Sequence, residues 1–205
     1  MPKTGKTADR ELGKRVNDCE SGDPDPAKRE DVVWDSPNTD SQKTVLYARK
    51  DSCIRIRGFE VVSTYIGKGI NLPKRQTARS AGYDIEAAER VVLTPGEMIL
   101  VKTGLKAYML PGEVLFIKIR SSLAIKRDLY LLNQTGVIDS DYYGNPQNEG
   151  HIFIGIGNRG NDIQEIKKGD RIAQGIFLEY LLVDGDTPGG ARNGGIGSTS
   201  QKEEE

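Results

Sequence analysis

From Ile54 onward the chain is a succession of short apolar runs, each closed by a turn bearing glycine or proline, and that punctuation excludes most folds. Thr94-Pro95-Gly96-Glu97, Leu110-Pro111-Gly112-Glu113 and Lys167-Lys168-Gly169-Asp170 each precede such a run. Proline followed by glycine suits the central positions of a type II turn, because proline presets a negative φ and glycine accepts the positive one. The runs predict strands at Ile54 to Val62, Arg90 to Leu93, Met98 to Lys102, Val114 to Ile119, Leu129 to Asn133, His151 to Ile156 and Ile172 to Val183. One short helix is predicted near Ser122 to Lys126. Long helical periodicity is absent, so the expected class is all-β, a sandwich or jelly roll with little helix, rather than alternating βα units.

Residues 1–53 differ in kind. They are rich in charged residues, serine and proline, and carry two short apolar islands, Val32-Val33-Trp34 and Val45-Leu46-Tyr47. Such a segment buries little and is read as a disordered arm. The β domain is expected over 54–190, followed by a flexible lid and acidic tail over 191–205. Lys+Arg 29 against Asp+Glu 30 gives no bulk attraction for nucleic acid, and none is expected as a partner. No apolar run is long enough to span a bilayer and no secretory signal opens the chain, so a cytoplasmic protein without membrane contact is expected. Cys19 and Cys53 are unpatterned and are expected to be free thiols. With His151 as its only histidine, the chain has no multi-histidine metal site.

Several motifs admit a chemical and a bland reading. Gly155-Ile156-Gly157-Asn158-Arg159-Gly160 matches the dinucleotide fingerprint by letter, but the turn-prone residues after it cannot supply the helix that receives a pyrophosphate. Arg120-Ser121-Ser122 follows an apolar run, where a guanidinium, two hydroxyls and helix-start N–H groups suit phosphate oxygens. An ordinary helix start with a surface arginine fits the same letters equally well. Asp139, after Gly136-Val137-Ile138, is either a turn carboxylate or a base that deprotonates a water aligned on phosphorus; Tyr142 can lie against a sugar face. The Gly-rich stretch Arg192 to Thr199 reads as a loose terminus or as a lid over a triphosphate.

Taken in order, Ala81-Gly82-Tyr83-Asp84, Arg120-Ser121-Ser122, Asn133 with Gly136 to Tyr142, Gly169 to Gln174, and Arg192 to Thr199 resemble the five motifs of the trimeric dUTPases. The resemblance runs from about Phe59 to Ser200. It implies a distorted jelly roll, a homotrimer with active sites shared between subunits, and hydrolysis of dUTP to dUMP and pyrophosphate. It also implies roles. Asp139 would activate water for attack on the α-phosphorus, and Arg120, Ser121, Ser122, Gln174, Arg192, Ser198 and Thr199 would hold phosphates. Asn133, Gly136, Val137 and Ile138 would read uracil, Tyr142 would exclude a ribose 2′-hydroxyl, and Ile196 and Gly197 would belong to the lid. Mg²⁺ would bridge the triphosphate, with Asp84 in its outer shell through water.

Three departures stand out. Ile196 occupies a place where the family usually has an aromatic residue, so the base would be covered by Ile196 itself or by a ring such as Phe153 or Tyr143. Tyr143 replaces a usual basic or polar residue, and Pro146-Gln147-Asn148-Glu149-Gly150 lengthens the hairpin arm. The rival enzyme is a dCTP deaminase, alone or bifunctional, which shares the fold and the Arg-Ser-Ser run. A regulatory nucleotide-binding protein is the rival from another class.

Overall fold

The computed structural model describes residues 30–34, 44–48, 55–187 and 194–195. The chain divides between Gly58 and Phe59 into two compact units. In the first, β1 (Glu30–Trp34) and β2 (Thr44–Ala48) pair antiparallel, with Val32 opposite Leu46. The two apolar islands lie in these paired strands.

The second unit is all-β and jelly-roll-like. Its strands are β3 (Gly58–Val61), β4 (Tyr83–Glu86), β5 (Val91–Leu93), β6 (Met98–Lys102), β7 (Leu105–Tyr108), β8 (Glu113–Ile119), β9 (Leu129–Leu131), β10 (Gly136–Asp139), β11 (Phe153–Asn158), β12 (Gln164–Ile166) and β13 (Arg171–Glu179). The one α-helix among the described residues, α1 (Ser121–Lys126), follows β8. One sheet has the order β10-β8-β13-β4 and a second β6-β11-β9, while β5 pairs β12 and β3 pairs β7. Every register determined between these strands is antiparallel.

Alternation places the core. β5 and β9 bury their outer residues and leave the middle one less covered, as the period of two demands. Ile85, Leu93, Leu105, Leu115, Leu129 and Ile156 are sealed from solvent. Each such side chain contributes about 1.5–3 kcal/mol of burial free energy. The Gly155-to-Gly160 run begins inside β11 and ends in a turn, with β12 rather than a helix after it. Buried Asn158 builds that turn: its Nδ2 donates to the carbonyls of Leu93 at 3.1 Å and Asp162 at 2.8 Å, and its Oδ1 accepts from Gly160 N–H at 3.0 Å. The letter pattern is structural.

β13 was expected to continue to Val183 but ends at Glu179. Leu181, Leu182 and Val183 follow it at 98, 65 and 78 % exposure, an apolar run left uncovered among the described residues.

Candidate active site

β9 and β10 are joined by a tight reversal in which Gln134 takes φ 57°. Leu131 and Leu132 enter this turn, and β10 leaves it along β8, with Gly136 opposite Ile117 and Asp139 opposite Val114. Gly136 is required here by close approach. A Cβ on it would stand 3.0 Å from the Ile117 Cβ and 3.8 Å from Asn133 Nδ2. Asn133, Gly136, Val137, Ile138, Asp139 and Tyr142 thereby line one pocket of about 520 Å³. Its floor is apolar, formed by residues such as Ile117, Leu131 and Ile154, and Gly155 and Gly195 also reach it. An apolar slot rimmed by an amide, a carboxylate and a phenol suits a flat polar ligand held by few directional contacts.

Phe153 lines this pocket, whereas Tyr143 does not. The Tyr143 hydroxyl donates to Glu60 Oε2 at 2.6 Å and its ring meets Tyr108 edge-on, with centroids 6.0 Å apart. Of these two rings, Phe153 alone lines the pocket.

Tyr142 is buried, and its hydroxyl donates to the His151 carbonyl at 2.8 Å. His151 is itself buried, with Nε2 accepting the Gly104 N–H at 2.9 Å and the ring 4.3 Å from that of Phe153. Burial pushes the His151 pKa below its ordinary value of 6.5, and nearby Lys102 adds to the effect, against opposing pulls from Glu149 and Glu89. The imidazole accepts that N–H only while neutral, so it is a structural acceptor.

Arg120, Ser121, Ser122 and Gln174 form a second group outside the pocket lining. Gln174 on β13 lies opposite Asp84 on β4 and Lys118 on β8. A Cβ at Gly82 would collide with the Gln174 side chain, so glycine there lets the two meet. Asp84 is 8 % exposed, and its carboxylate receives Arg120 Nε and Arg171 Nη1, each at 3.2 Å. Ser121 and Ser122 open α1 with their side chains toward solvent. Arg120 lies six residues beyond Val114, the partner of Asp139, in extended backbone. At about 3.3 Å per residue, Asp139 and Arg120 of one chain stand about 20 Å apart along β8. Arg192, Ile196, Gly197, Ser198 and Thr199 lie outside the described residues, as do Cys19 and Cys53.

Asn145, Asn148 and His151 were not singled out from the sequence as site residues. Their signal was present in the density of turn amides through Gly144-Asn145-Pro146-Gln147-Asn148.

The fold and pocket define a β-sheet protein with a preformed nucleotide-sized cleft and a separate arginine-bearing cluster. Residues 68–197 match the family model described as dUTPase. The chain is 54 % identical over 148 residues to the deoxyuridine 5′-triphosphate nucleotidohydrolase of Lactococcus lactis subsp. lactis, covering 71 % of this chain and 99 % of that protein. It is 48 % identical to the dUTPase of Streptococcus mutans, whose crystal structure superposes with a TM-score of 0.60 over 62 % of this chain and 99 % of the other. A mutant dUTPase of Staphylococcus aureus phage phi11, described with a structural Mg(II) ion, shares the fold at 23 % identity and a TM-score of 0.53, covering 65 and 97 % of the two chains. The chain belongs to the dUTPase family.

Proposed function

We propose that the protein hydrolyses dUTP to dUMP and pyrophosphate in sites built from more than one copy of the chain. The convergence of Asn133, Gly136, Asp139 and Tyr142 on one pocket carries this reading. The Asn133 amide and the β10 backbone offer donors and acceptors to a pyrimidine edge, and Tyr142 packs against the sugar. Asp139 accepts a proton from water as the water oxygen bonds to the α-phosphorus; the bond from that phosphorus to the bridging oxygen breaks, and pyrophosphate leaves with the electron pair.

The phosphate-binding group must reach this pocket from elsewhere. About 20 Å of strand exceeds the combined reach of an aspartate, one water and an arginine around a single phosphate group. A neighbouring copy supplying Arg120, Ser121, Ser122 and Gln174 resolves the separation. The exposed Leu181-Leu182-Val183 run offers apolar surface for such an assembly, read here as a homotrimer. The segment 191–205 is proposed as its lid, with Arg192, Ser198 and Thr199 on the phosphates and Ile196 and Gly197 over the base.

The donor set fits magnesium carried by the substrate. Among the described residues no group of three His, Cys, Asp or Glu side chains could cage a metal, and Mg²⁺ is commonly held by phosphates and its own waters. Bound there, it would neutralise phosphate charge. Asp84, already engaged by two arginines, would reach it only through water.

Measuring pyrophosphate release from dUTP, dCTP, dTTP and UTP tests the proposal. Turnover confined to dUTP is expected, whereas ammonia release from dCTP would establish the deaminase instead.

A further inference from the structure

The lengthened arm after Tyr142 is organised around that tyrosine. Buried Asn145 donates through Nδ2 to the Tyr142 carbonyl at 2.9 Å, while its Oδ1 accepts the N–H groups of Gln147 at 3.1 Å and Asn148 at 3.2 Å. Asn148 holds the other end: its Nδ2 donates to the Tyr142 hydroxyl oxygen at 2.9 Å. The orientation of that amide is fixed. Its Oδ1 accepts from Asn145 Nδ2 at 2.7 Å and from the Gly150 N–H at 3.0 Å.

The arm is anchored at its far end by Glu149, which takes φ 60°, a backbone region that a side chain of this kind rarely enters. Ser63 donates both its N–H, at 3.2 Å, and its hydroxyl to the Glu149 carboxylate, and Lys106 Nζ lies 3.2 Å from it. These partners, the Ser63 hydroxyl foremost, hold the Glu149 pKa below the ordinary carboxylate value of 4.5. Gly150 follows at φ 85°, and a Cβ there would stand 2.6 Å from the Tyr142 carbonyl oxygen. A continuous set of contacts thus runs from Ser63 and Lys106 through Glu149 and Asn148 to the Tyr142 ring. Gly195, which lines the same pocket, meets this ring as well, since its Cβ would lie 3.2 Å from the Tyr142 hydroxyl and 3.6 Å from Asn148 Nδ2.

We propose that Asn148 and Glu149 are positioning residues that fix the Tyr142 ring and so set how strictly the site separates a 2′-deoxyribose from a ribose. The inference rests on the dUTP hydrolysis proposed above. A hydroxyl group occupies little volume, so rejecting it by packing requires a wall that does not yield. Asn148 and His151 clamp the phenol oxygen from opposite polarities, one donating and one accepting, and this denies the ring freedom to withdraw.

Asn148→Asp keeps size and the Oδ1 acceptor but replaces the donor by a carboxylate. The single phenol proton then cannot serve both the His151 carbonyl and the new carboxylate, and the ring must shift. The readout is the ratio of kcat/KM for dUTP to that for UTP. Loss of folded protein lowers both values equally and cancels in the ratio. We expect the ratio to fall about fivefold or more in Asn148→Asp, and about twofold in Glu149→Gln, which weakens the remote anchor. An unchanged ratio in an Asn148→Asp protein that still hydrolyses dUTP overturns the inference alone. Should that variant not fold, Glu149→Gln and Ser63→Ala decide it, with unchanged ratios in both overturning it. A wild-type protein that releases no pyrophosphate from dUTP overturns the proposed function and this inference together.

Discussion

Arg120 is held by Asp84 across a 3.2 Å contact between two sheet strands' ends, and Arg171 takes the second oxygen of the same carboxylate at the same distance. Asp84 thus orients a guanidinium that would otherwise sweep through solvent at the end of β8. Charge-assisted bonds to a carboxylate that is nearly buried hold such a geometry well.

Replacing Asp84 by Asn should therefore act on substrate binding. The KM for dUTP is expected to rise about tenfold with a smaller change in kcat, since Arg120 loses its anchor and keeps its charge. Steady-state kinetics across a range of Mg²⁺ concentrations checks this. If Asp84 serves instead chiefly through a metal-bound water, added Mg²⁺ restores the KM.

Asp139→Asn should keep the fold and nucleotide binding but reduce turnover by about 10²–10⁴, because the amide preserves volume and loses the proton-accepting oxygen. Binding of dUTP by calorimetry alongside single-turnover hydrolysis separates the two effects. A variant with wild-type kcat removes Asp139 from the proposed role.

The separation of Asp139 and Arg120 along β8 predicts complementation. Asp139→Asn and Arg120→Ala chains, each inactive alone, should regain activity when refolded together. If each site takes the two residues from different copies, random mixing leaves about one quarter of sites intact. No recovery on co-refolding would show that both residues serve from one chain.

Much of this architecture was legible in residue letters. Met98 to Lys102 was read to the residue, because its apolar run is bounded by a Pro-Gly turn before it and Thr103-Gly104 after it. β4, β7 and β12 were missed: each is only three or four residues long and carries charged or polar positions, too short for alternation to declare itself. The far end of β13 was over-read, because Leu181-Leu182-Val183 has strand letters while none of the described residues pairs with it as a strand. The pairing of β1 with β2 was not legible, since two three-residue apolar islands in a charged segment offer little apolar burial. In the pocket, Asn133, Gly136 to Asp139 and Tyr142 were legible because a tight turn makes sequence neighbours into pocket neighbours. His151 was read only as a lone histidine, since its partner Gly104 is brought to it by the pairing of distant strands.

The fate of residues 191–205 gives another prediction. Gly195 reaches the pocket beside Tyr142, so removing the segment should leave the β core folded and open one wall of the site. A truncated chain is expected to keep its thermal midpoint within a few degrees and lose about 10²-fold or more in kcat/KM, through exposure of the phosphates to bulk water. Unchanged hydrolysis would mean that the lid assignment is wrong.

His151 makes stability depend on pH in a defined direction. Its buried imidazole accepts the Gly104 N–H and packs against Phe153 and Tyr65, whose ring centroids lie 4.3 and 5.2 Å away. Burial, reinforced by Lys102, sets its pKa in the folded state below the ordinary 6.5 that the unfolded chain recovers. Between those two values the unfolded state binds the extra proton, so stability must rise with pH across the window. The contribution is fully present above about pH 6.5 and is lost as pH falls through the folded-state value. Protonation also forces the ring to surrender an acceptor that Gly104 requires, at a position where Gly104 takes φ 70° and a Cβ would stand 2.9 Å from Tyr65. Denaturant melts of wild type and His151→Gln between pH 5 and 8 check this. Wild type should lose stability toward the acid end, and the glutamine variant, which keeps an acceptor without titrating, should lack that part of the slope. Parallel pH profiles for the two proteins would show that the histidine carries no part of the acid sensitivity.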